Sequence, residues 1–261
     1  MIWWNLLASL GAALAVLLVT FAFGVAMGKH RVVDIAWGLA FSAIAVTTYA
    51  MSSGHGDAGR RAVVTALTVI WGVRLAGHIF LRARGADEDP RYQAMLSKAT
   101  GNRNVYALTR VYLLQAVIAW FVSLPVQVAQ YDPNPLAWWA AFGIAVWAVG
   151  FVFESVGDWQ LTRFKADPSN KGKVLDIGLW RYTRHPNYFG DACVWWGLYL
   201  LAVGTWWGAA TILSPIAMTY FLAGKTGRPL MDEHMMNTRP EYADYTKRTS
   251  GFIPRPPRTA V

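Results

Sequence analysis

Seven apolar stretches, separated by polar connections, dominate the pattern of hydrophobic and polar positions along the chain. A transmembrane helix needs about 20 mostly apolar residues to cross a hydrocarbon layer about 30 Å thick. The pattern therefore predicts an all-α integral membrane protein with about seven transmembrane helices. The predicted spans are residues 4–27, 33–52, 62–82, 109–128, 136–157, 188–204 and 206–223. Gly204-Thr205 joins the last two tightly, so a helical hairpin or one long broken helix also fits them.

The distribution of basic residues predicts the orientation of these spans, because cytoplasmic loops retain Lys and Arg. Of the 24 Lys and Arg residues, 21 fall in residues 28–32, 82–110, 158–187 and the tail from Lys225. The opposite side carries Arg60 and Arg61, in connections (53–61 and 129–135) that resemble simple turns. We therefore expect an outside N-terminus, a cytoplasmic C-terminus, and a bacterial inner membrane with the active site on its cytoplasmic side.

Composition supports the membrane assignment and excludes some functions. The 261 residues are 55% hydrophobic and 14% aromatic, which is too apolar for one soluble core. The net charge of +9 follows from topology, and we expect no nucleic-acid partner because no basic soluble domain is present. The single cysteine, Cys193, predicts no disulfide, and the scattered His residues predict no metal site. Without an evident linker, residues 1–261 are expected to form a single membrane domain.

Ionisable residues inside or beside the spans are candidate functional groups, because a charge in hydrocarbon is costly and is normally paired. Arg74 and His78 lie four residues apart on the third span, hence on one face. A purely structural ion pair of Arg74 with Glu154 or Asp191 is one interpretation. Asp34 opens the second span, where it could simply cap a helix.

The densest polar sequence immediately precedes the sixth span and runs from Gly178 to Asp191 as GLWRYTRHPNYFGD. It holds two Arg, a His, an Asn and two Tyr. Such donors in front of a helix N-terminus suit a bound anion, so a phosphate-bearing ligand fits, with a lipid headgroup as the alternative. The Asn amide and Asp carboxylate at the membrane boundary would suit a carboxamide or a hydroxyl.

The run Arg184–Asp191, RHPNYFGD, resembles the R-H-P-N-Y-x-G-D signature of integral-membrane sterol reductases. Residues 145–254 resemble the C-terminal domain of the steroid 5α-reductases. The N-terminal half is more similar to uncharacterised bacterial relatives, through Val33–Gly38, Trp71–Leu75 and Glu88–Tyr92. The resemblance implies a seven-helix reductase with residues 1–128 on the substrate side and residues 136–254 binding the cofactor.

The resemblance also implies NADPH as the cofactor and a lipid-like substrate whose carbon–carbon double bond is reduced by hydride transfer. Asn187 matches an asparagine near the nicotinamide carboxamide, and Asp191 matches an acidic residue beside it. We expect side chains, and not a Rossmann turn, to bind the dinucleotide. Further positions assigned to the cofactor are Arg74, Asp158, Arg163, Lys165, Tyr182, Arg184, His185, Tyr188, Glu233, Arg239, Tyr242 and Tyr245.

The chain departs from the steroid 5α-reductases in the groups that polarise the substrate ketone, a Glu on the second helix and a Tyr on the third. Trp71 stands where that Tyr is expected, and Asp34 takes the place of the Glu. The resemblance therefore does not select a steroid over an isoprenoid or fatty-acyl alkene. Candidate proton donors are Asp34, His78 and Tyr92.

Two other functions fit the same sequence. An R-H-P-x-Y-x-G motif and a later Glu on a membrane helix also occur in isoprenylcysteine and phospholipid methyltransferases, which use S-adenosylmethionine. A non-catalytic lipid-binding membrane protein would also accommodate the paired charges, although the absence of evident repeats disfavours a transporter. Membrane lipids are partners in each case, and the sequence predicts no oligomeric state.

Overall fold

The computed structural model describes residues 2–225 and 227–258, and every regular element among them is helical, with no β-strand. Met1, Thr226 and residues 259–261 lie outside the described part. The predicted all-α fold is confirmed. The helices are α1 Ile2–Met27, α2 Val33–Met51, α3 Ala58–Ala83, α4 Pro90–Leu96, α5 Arg103–Ala107, α6 Leu113–Val122, α7 Leu124–Ala129, α8 Trp138–Ala166, α9 Pro186–Ala202, α10 Trp206–Ala210, α11 Leu213–Tyr220, α12 Arg228–Thr238 and α13 Tyr242–Arg248.

Six helical segments of the described chain are long and apolar enough to cross a membrane. They are Ile2–Met27, His30–Met51, Ala58–Ala83, Arg103–Val122, Trp138–Ala166 and Trp206–Thr238. The predicted sixth span corresponds to α9, whose 17 residues reach only about 26 Å. A break between α9 and α10 lies at the predicted Gly204-Thr205 junction. These helices are consistent with an integral membrane protein, while the count of seven spans and their orientation stay predictions.

The chain forms two compact units. The first comprises the chain up to Ala137 together with Leu201–Ser214, and the second comprises Trp138–Leu200 together with the chain from Pro215. In the first unit, α2 packs against both α1 and α3. Gly38 of α2 and Gly72 of α3 approach so closely that a Cβ on either would collide with the carbonyl of the other. Small residues at such crossings are typical of helices that associate in membranes.

A buried ion pair closes one end of the first unit. Arg60 Nη2 lies 3.2 Å from Asp132 Oδ2, and both side chains are only 1% exposed. Arg60 also donates to the carbonyl of Asn134 at 3.2 Å and to that of Leu201. The sequence predicts simple turns before α3 and after α7, but Arg60 belongs to α3 and ties three separate chain segments together. Turns do occupy residues 52–55 and 130–131, as predicted, but the pairing of Arg60 with Asp132 is not predicted from the sequence.

Glycine residues also bring α8 and α9 of the second unit into close contact. A Cβ added at Gly190 would lie 2.5 Å from the backbone nitrogen of Glu154, and one at Gly197 would lie 2.6 Å from that of Trp147. The two backbones therefore touch without intervening side chains. The glycines at this contact are Gly143, Gly150, Gly157, Gly190 and Gly197.

The start of α9 follows from its sequence. Pro186 is the first residue of the helix, a position where its missing N–H would have had no intrahelical partner. The carbonyl of His185 accepts the first helical hydrogen bond, from the N–H of Phe189 at 3.0 Å. Upstream, Gly178 has a φ of +62°, which glycine adopts at no steric cost. The Gly178–Asp191 motif therefore consists of a loop up to His185 and the first residues of α9.

Candidate functional site

Asp232 of α12 is the centre of a hydrogen-bonded network in the second unit. Its carboxylate accepts from Arg184 Nη2 at 2.8 Å, from His185 Nε2 at 2.9 Å and from the Tyr242 hydroxyl. Arg184 and His185 belong to the motif before α9, and Tyr242 belongs to α13. These four residues, named here the Asp232 network, therefore join the motif to both C-terminal helices.

Hydrogen bonds to main-chain carbonyls hold the same motif against residues 249–255. The backbone N–H of Arg184 donates to the carbonyl of Ser250 at 2.9 Å. Arg184 Nη1 donates to the carbonyl of Thr249 at 2.9 Å. The hydroxyl of Thr183 donates to the carbonyl of Phe252 at 2.8 Å. Thr183 is fully buried. Because main-chain and side-chain groups are both engaged, the loop before α9 has a fixed shape.

Burial explains the protonation of the network. It lowers the pKa of His185, whose side chain is 3% exposed, although Asp232 opposes the shift. The ring is therefore neutral at pH 7, with the Nε2 proton donated to the carboxylate. Burial raises the pKa values of Tyr242 and Tyr245, and Asp232 raises that of Tyr242 further. The hydrogen bonds of His185, Tyr242, Tyr245 and Arg184 go to other groups of this chain. Their contact with a cofactor therefore stays a prediction.

Asn187 and Asp158, both predicted to contact the cofactor, lie side by side. Asn187 Nδ2 donates to Asp158 Oδ1 at 3.2 Å, from the first turn of α9 to α8. Asp158 is 6% exposed. Tyr188, the next residue of the motif, stacks on His185 with ring centroids 5.3 Å apart. An amide beside a carboxylate presents a donor and an acceptor together, which complements a carboxamide.

The other predicted cofactor residues of this unit are less enclosed. Tyr182 is 44% exposed, and the exposed Arg163 lies 5.3 Å above the Trp159 ring. Glu233 is exposed, whereas the adjacent Asp232, for which the sequence predicts no role, occupies the centre of the network. Asp232 and Glu233 are adjacent acidic residues on one helix, so the sequence alone does not indicate which of them forms the network. Lys165 is exposed, and the half-buried residues are Arg239 and Asp191.

In the first unit, the structure brings two predicted proton donors together. Tyr92 of α4 donates to Asp34 Oδ1 at 2.5 Å. Arg91 Nη2 donates to Asp34 Oδ2 at 3.1 Å and to Asp89 Oδ2 at 3.0 Å. Asp89 also accepts from a backbone N–H at the start of α4, which fixes this short helix. Asp34, Arg91 and Tyr92 are named here the Asp34 cluster.

Tyr92 retains its proton at physiological pH. Its residue surface is 9% exposed, and burial raises its pKa well above the usual value. The negative charge of Asp34 raises the pKa of Tyr92 further. Arg91, in contrast, has a side chain that is 60% exposed. The cluster therefore combines a buried hydroxyl with a cation open to solvent.

Glu88 anchors this connection to the start of α2. Its carboxylate accepts from the backbone N–H groups of His30 at 2.5 Å, Arg31 at 2.9 Å and Asp89 at 3.0 Å. Free N–H groups at a helix N-terminus attract a negative charge, which accounts for this contact. Glu88 was part of the motif shared with bacterial relatives, but no role was predicted for it. Its contacts help place Tyr92 over Asp34.

Arg74 and His78 are half-buried on α3, four residues apart. Their roles in cofactor binding and proton donation stay predictions. The pairing of Arg74 with Glu154 or Asp191 also stays a prediction.

Residues Gly54–Gly59 have the G-x-G-x-x-G spacing of dinucleotide-binding turns. They follow helix α2 and not a strand, and Gly56 packs against the backbone of Gln130. This segment is therefore not a Rossmann phosphate-binding turn, and side chains elsewhere would have to bind a dinucleotide.

The chain belongs to the family described as proteins of unknown function (DUF1295), because the family model matches residues 20–249. This is a steroid 5α-reductase-like family. An uncharacterised protein of Schizosaccharomyces pombe is 22% identical over 256 residues, which cover 85% of this chain and 72% of the relative. A probable O-methyltransferase of Ustilaginoidea virens is 36% identical over 96 residues, which cover 36% of this chain and 32% of that protein. No solved structure matches the chain at a significant level.

Proposed function

We propose that this DUF1295 protein is a membrane-embedded, NADPH-dependent reductase of a carbon–carbon double bond in a lipid substrate. The observation that carries the proposal is the hydrogen bond from Tyr92 to Asp34. Reduction of a double bond adds one hydride and one proton, so it requires a proton donor beside the acceptor carbon. A buried phenol that keeps its proton and is oriented by a carboxylate meets this requirement.

Each member of the Asp34 cluster has a distinct role in this proposal. Tyr92 holds the proton at Oη and donates it to Asp34 in the substrate-free protein, so the hydroxyl would turn from Asp34 to the acceptor carbon before the O–H bond breaks. Arg91, 3.1 Å from Asp34, offsets the negative charge that would otherwise oppose loss of the Tyr92 proton. The cluster thus links a substrate-facing acid to a solvent-exposed cation.

The donors and acceptors of the second unit fit NADPH. Asn187 and Asp158 would hold the carboxamide, and the exposed cations Arg163 and Arg181 would bind phosphates, which guanidinium groups match well. When bound, NADPH would supply the hydride. The Asp232 network would fix the loop that precedes Asn187, and contact of its own members with the cofactor stays a prediction. We propose that this binding occurs at the cytoplasmic side of a bacterial inner membrane, in agreement with the distribution of basic residues.

Cofactor binding by the purified full-length protein tests the proposal. We expect NADPH to raise the apparent melting temperature and to show altered nicotinamide fluorescence. Asn187→Ala should weaken NADPH binding at least tenfold, because the half-buried amide that would hold the carboxamide is lost. Asn237, exposed on α12, provides a matched control, and Asn237→Ala should bind NADPH normally. Failure of the unchanged protein to bind NADPH would contradict the proposal.

A methyltransferase that uses S-adenosylmethionine is the second candidate, favoured by the partial match to a probable O-methyltransferase. Methyl transfer to a hydroxyl or a thiol requires a base that removes a proton. Tyr92 is a poor base because its hydroxyl is protonated and donated to Asp34. Stabilisation by S-adenosylmethionine, together with no response to NADPH, would replace the reductase proposal with this one.

A non-catalytic lipid-binding protein remains the third candidate. It predicts that Asn187→Ala and Tyr92→Phe leave lipid binding intact and that neither NADPH nor S-adenosylmethionine stabilises the protein. A substrate-dependent oxidation of NADPH that disappears in Tyr92→Phe would exclude it.

A further inference from the structure

The segment 249–258, which follows α13, forms no helix but is fixed to the loop before α9. The backbone N–H of Arg255 donates to the carbonyl of Tyr182 at 3.0 Å. Phe252 packs edge-on against Phe189 of α9, with ring centroids 6.2 Å apart. The segment therefore has a defined position on the second unit, and its exposed side chains form a defined surface.

That surface is both apolar and basic. Ile253 is 56% exposed, and Arg255, Pro256 and Arg258 are exposed as well. These four residues are named here the tail patch. Neither the segment that carries them nor the loop before α9 contains an acidic residue. The nearest acid upstream of that loop, Asp176, is paired with an arginine of α13. The tail patch therefore has no acidic residue in its own segment to offset its two guanidinium groups.

The length of α8 indicates how deep the tail patch lies in a membrane. Trp138 begins this helix and is 83% exposed, as is typical of a tryptophan at a membrane interface. Gly157 lies 19 residues further along, roughly 28 Å of helix, which is close to the hydrocarbon thickness of about 30 Å. The indole of Trp180, in the loop before α9, donates to the carbonyl of Gly157 at 3.1 Å. The loop and the tail patch bound to it therefore lie at the level of the lipid headgroups on the side opposite Trp138.

We propose that the tail patch anchors the second unit to anionic phospholipid headgroups. Arg255 and Arg258 pair with headgroup phosphates, and Ile253 inserts among the uppermost acyl carbons. Protein segments that lie in the plane of a membrane interface combine apolar and basic side chains in this way. The anchor is independent of the proposed reaction, because it involves neither the Asp34 cluster nor Asn187.

A fluorophore at residue 253 tests the anchor in the full-length protein. The chain has one cysteine, so Cys193→Ala combined with Ile253→Cys provides a single thiol for the environment-sensitive dye NBD. The labelled protein in an uncharged detergent is titrated with dioleoylphosphatidylglycerol and with dioleoylphosphatidylcholine. We expect the anionic lipid to shift the emission to the blue at a concentration about 25-fold lower, from about fivefold for each arginine.

The other outcomes of this titration contradict the anchor. Equal responses to the two lipids would show that headgroup charge is not recognised. No shift with either lipid would leave the tail patch facing water, where an acidic protein would be the better partner. A shift with inorganic phosphate alone would assign the arginines to a free anion and not to a lipid.

Paired variants locate the response. Arg255→Gln with Arg258→Gln should bring the preference for the anionic lipid close to unity, while the backbone hydrogen bond of residue 255 is kept. Lys171→Gln with Lys173→Gln is the matched control, because it removes two exposed positive charges from the same unit. These lysines follow the end of α8, so they lie further from the hydrocarbon than Gly157 does. The control should retain the preference. Equal loss in both pairs would show that net charge, and not the tail patch, determines the response.

Salt dependence decides the proposal if the arginine variants do not fold. Added KCl should weaken the response of the labelled protein to the anionic lipid, because salt screens exposed charges. A response that does not change with salt would show that the apolar dye drives it, and it would overturn the anchor. NADPH is absent from these titrations, so failure of the anchor and failure of the reductase proposal are separate results.

Discussion

An aspartate accepts hydrogen bonds from an arginine and a tyrosine in each of the two units, but the surroundings of the two carboxylates differ. Asp232 accepts from three side chains, including Arg184, which is 12% exposed, and His185, which is 3% exposed. Asp34 accepts from Tyr92 and from Arg91, whose side chain is 60% exposed. The two clusters therefore contain the same residue types, but the arginine of the Asp232 network is mostly buried and that of the Asp34 cluster is mostly exposed.

This difference distinguishes a structural role from a chemical one. Arg184 extends its hydrogen bonds to main-chain carbonyls, so little capacity is left for a ligand. The Asp34 cluster instead has an exposed cation on one side and a buried hydroxyl on the other. The Asp232 network therefore holds the loop before α9 in place, while the contact of its members with a cofactor stays a prediction.

The largest expected effect is on stability, in Asp232→Ala. Removal of the carboxylate leaves Arg184, His185 and Tyr242 without their shared acceptor, which should cost roughly 3 kcal/mol of unfolding free energy. Unfolding of the purified protein by heat or by SDS titration measures it. The neighbouring exposed Glu233 provides the control, and Glu233→Ala should change stability by less than about 0.5 kcal/mol. If Asp232→Ala and Glu233→Ala lower the unfolding free energy equally, the Asp232 network does not stabilise the fold more than an exposed residue does.

The next largest effect is on activity, in Tyr92→Phe. Loss of a general acid should lower the rate of substrate-dependent NADPH oxidation by roughly 100-fold or more, with NADPH binding unchanged. Membranes supplied with a total lipid extract provide the assay. Tyr106 lies in the same connection between α3 and α6, and Tyr106→Phe should keep most of the activity. Full activity in Tyr92→Phe would assign the Asp34 cluster a structural role like that of the Asp232 network.

Local patterns were sufficient to predict the helices but not the contacts that define either cluster. Runs of apolar residues specify a span within one stretch of sequence, and Pro186 specifies where α9 begins. Asp34 and Tyr92 were predicted as separate proton donors, yet they are 58 residues apart and their pairing depends on α4 folding over α2. The buried pair of Arg60 with Asp132 was missed for the same reason. Arg60 lies in the first turn of α3 and Asp132 follows α7, so no local pattern connects them.

The pH dependence of stability should be smaller and should come from the Asp232 network. Burial lowers the pKa of His185 below 6.5, with Arg184 and Arg228 acting in the same direction and Asp232 opposing. Between 6.5 and this lower value the unfolded chain binds a proton that the folded chain does not. The contribution of His185 is therefore complete above pH 6.5 and is lost as the pH falls, by about 1.4 kcal/mol for each unit of pKa difference.

Unfolding measured between pH 7 and pH 5 checks this prediction. His185→Asn should flatten the pH dependence relative to the unchanged protein. His234→Asn, at an exposed position of α12, should retain it. A steeper loss of stability at low pH in His185→Asn would show that the histidine is charged in the folded protein.

The smallest expected effect compares the two arginines directly. Arg91→Met should change the unfolding free energy by less than about 1 kcal/mol, because exposed ion pairs contribute little. Arg184→Met should cost more, since Asp232 loses two N–H donors and the carbonyls of Thr246 and Thr249 lose one each. Arg91→Met should have the smaller effect on stability but the larger effect on activity. It should fold normally yet turn over more slowly, because nothing then offsets the charge of Asp34 beside Tyr92. If Arg91→Met is as unstable as Arg184→Met, the exposure of the arginine does not predict its contribution to stability. The Asp34 cluster would then stabilise the fold as the Asp232 network does.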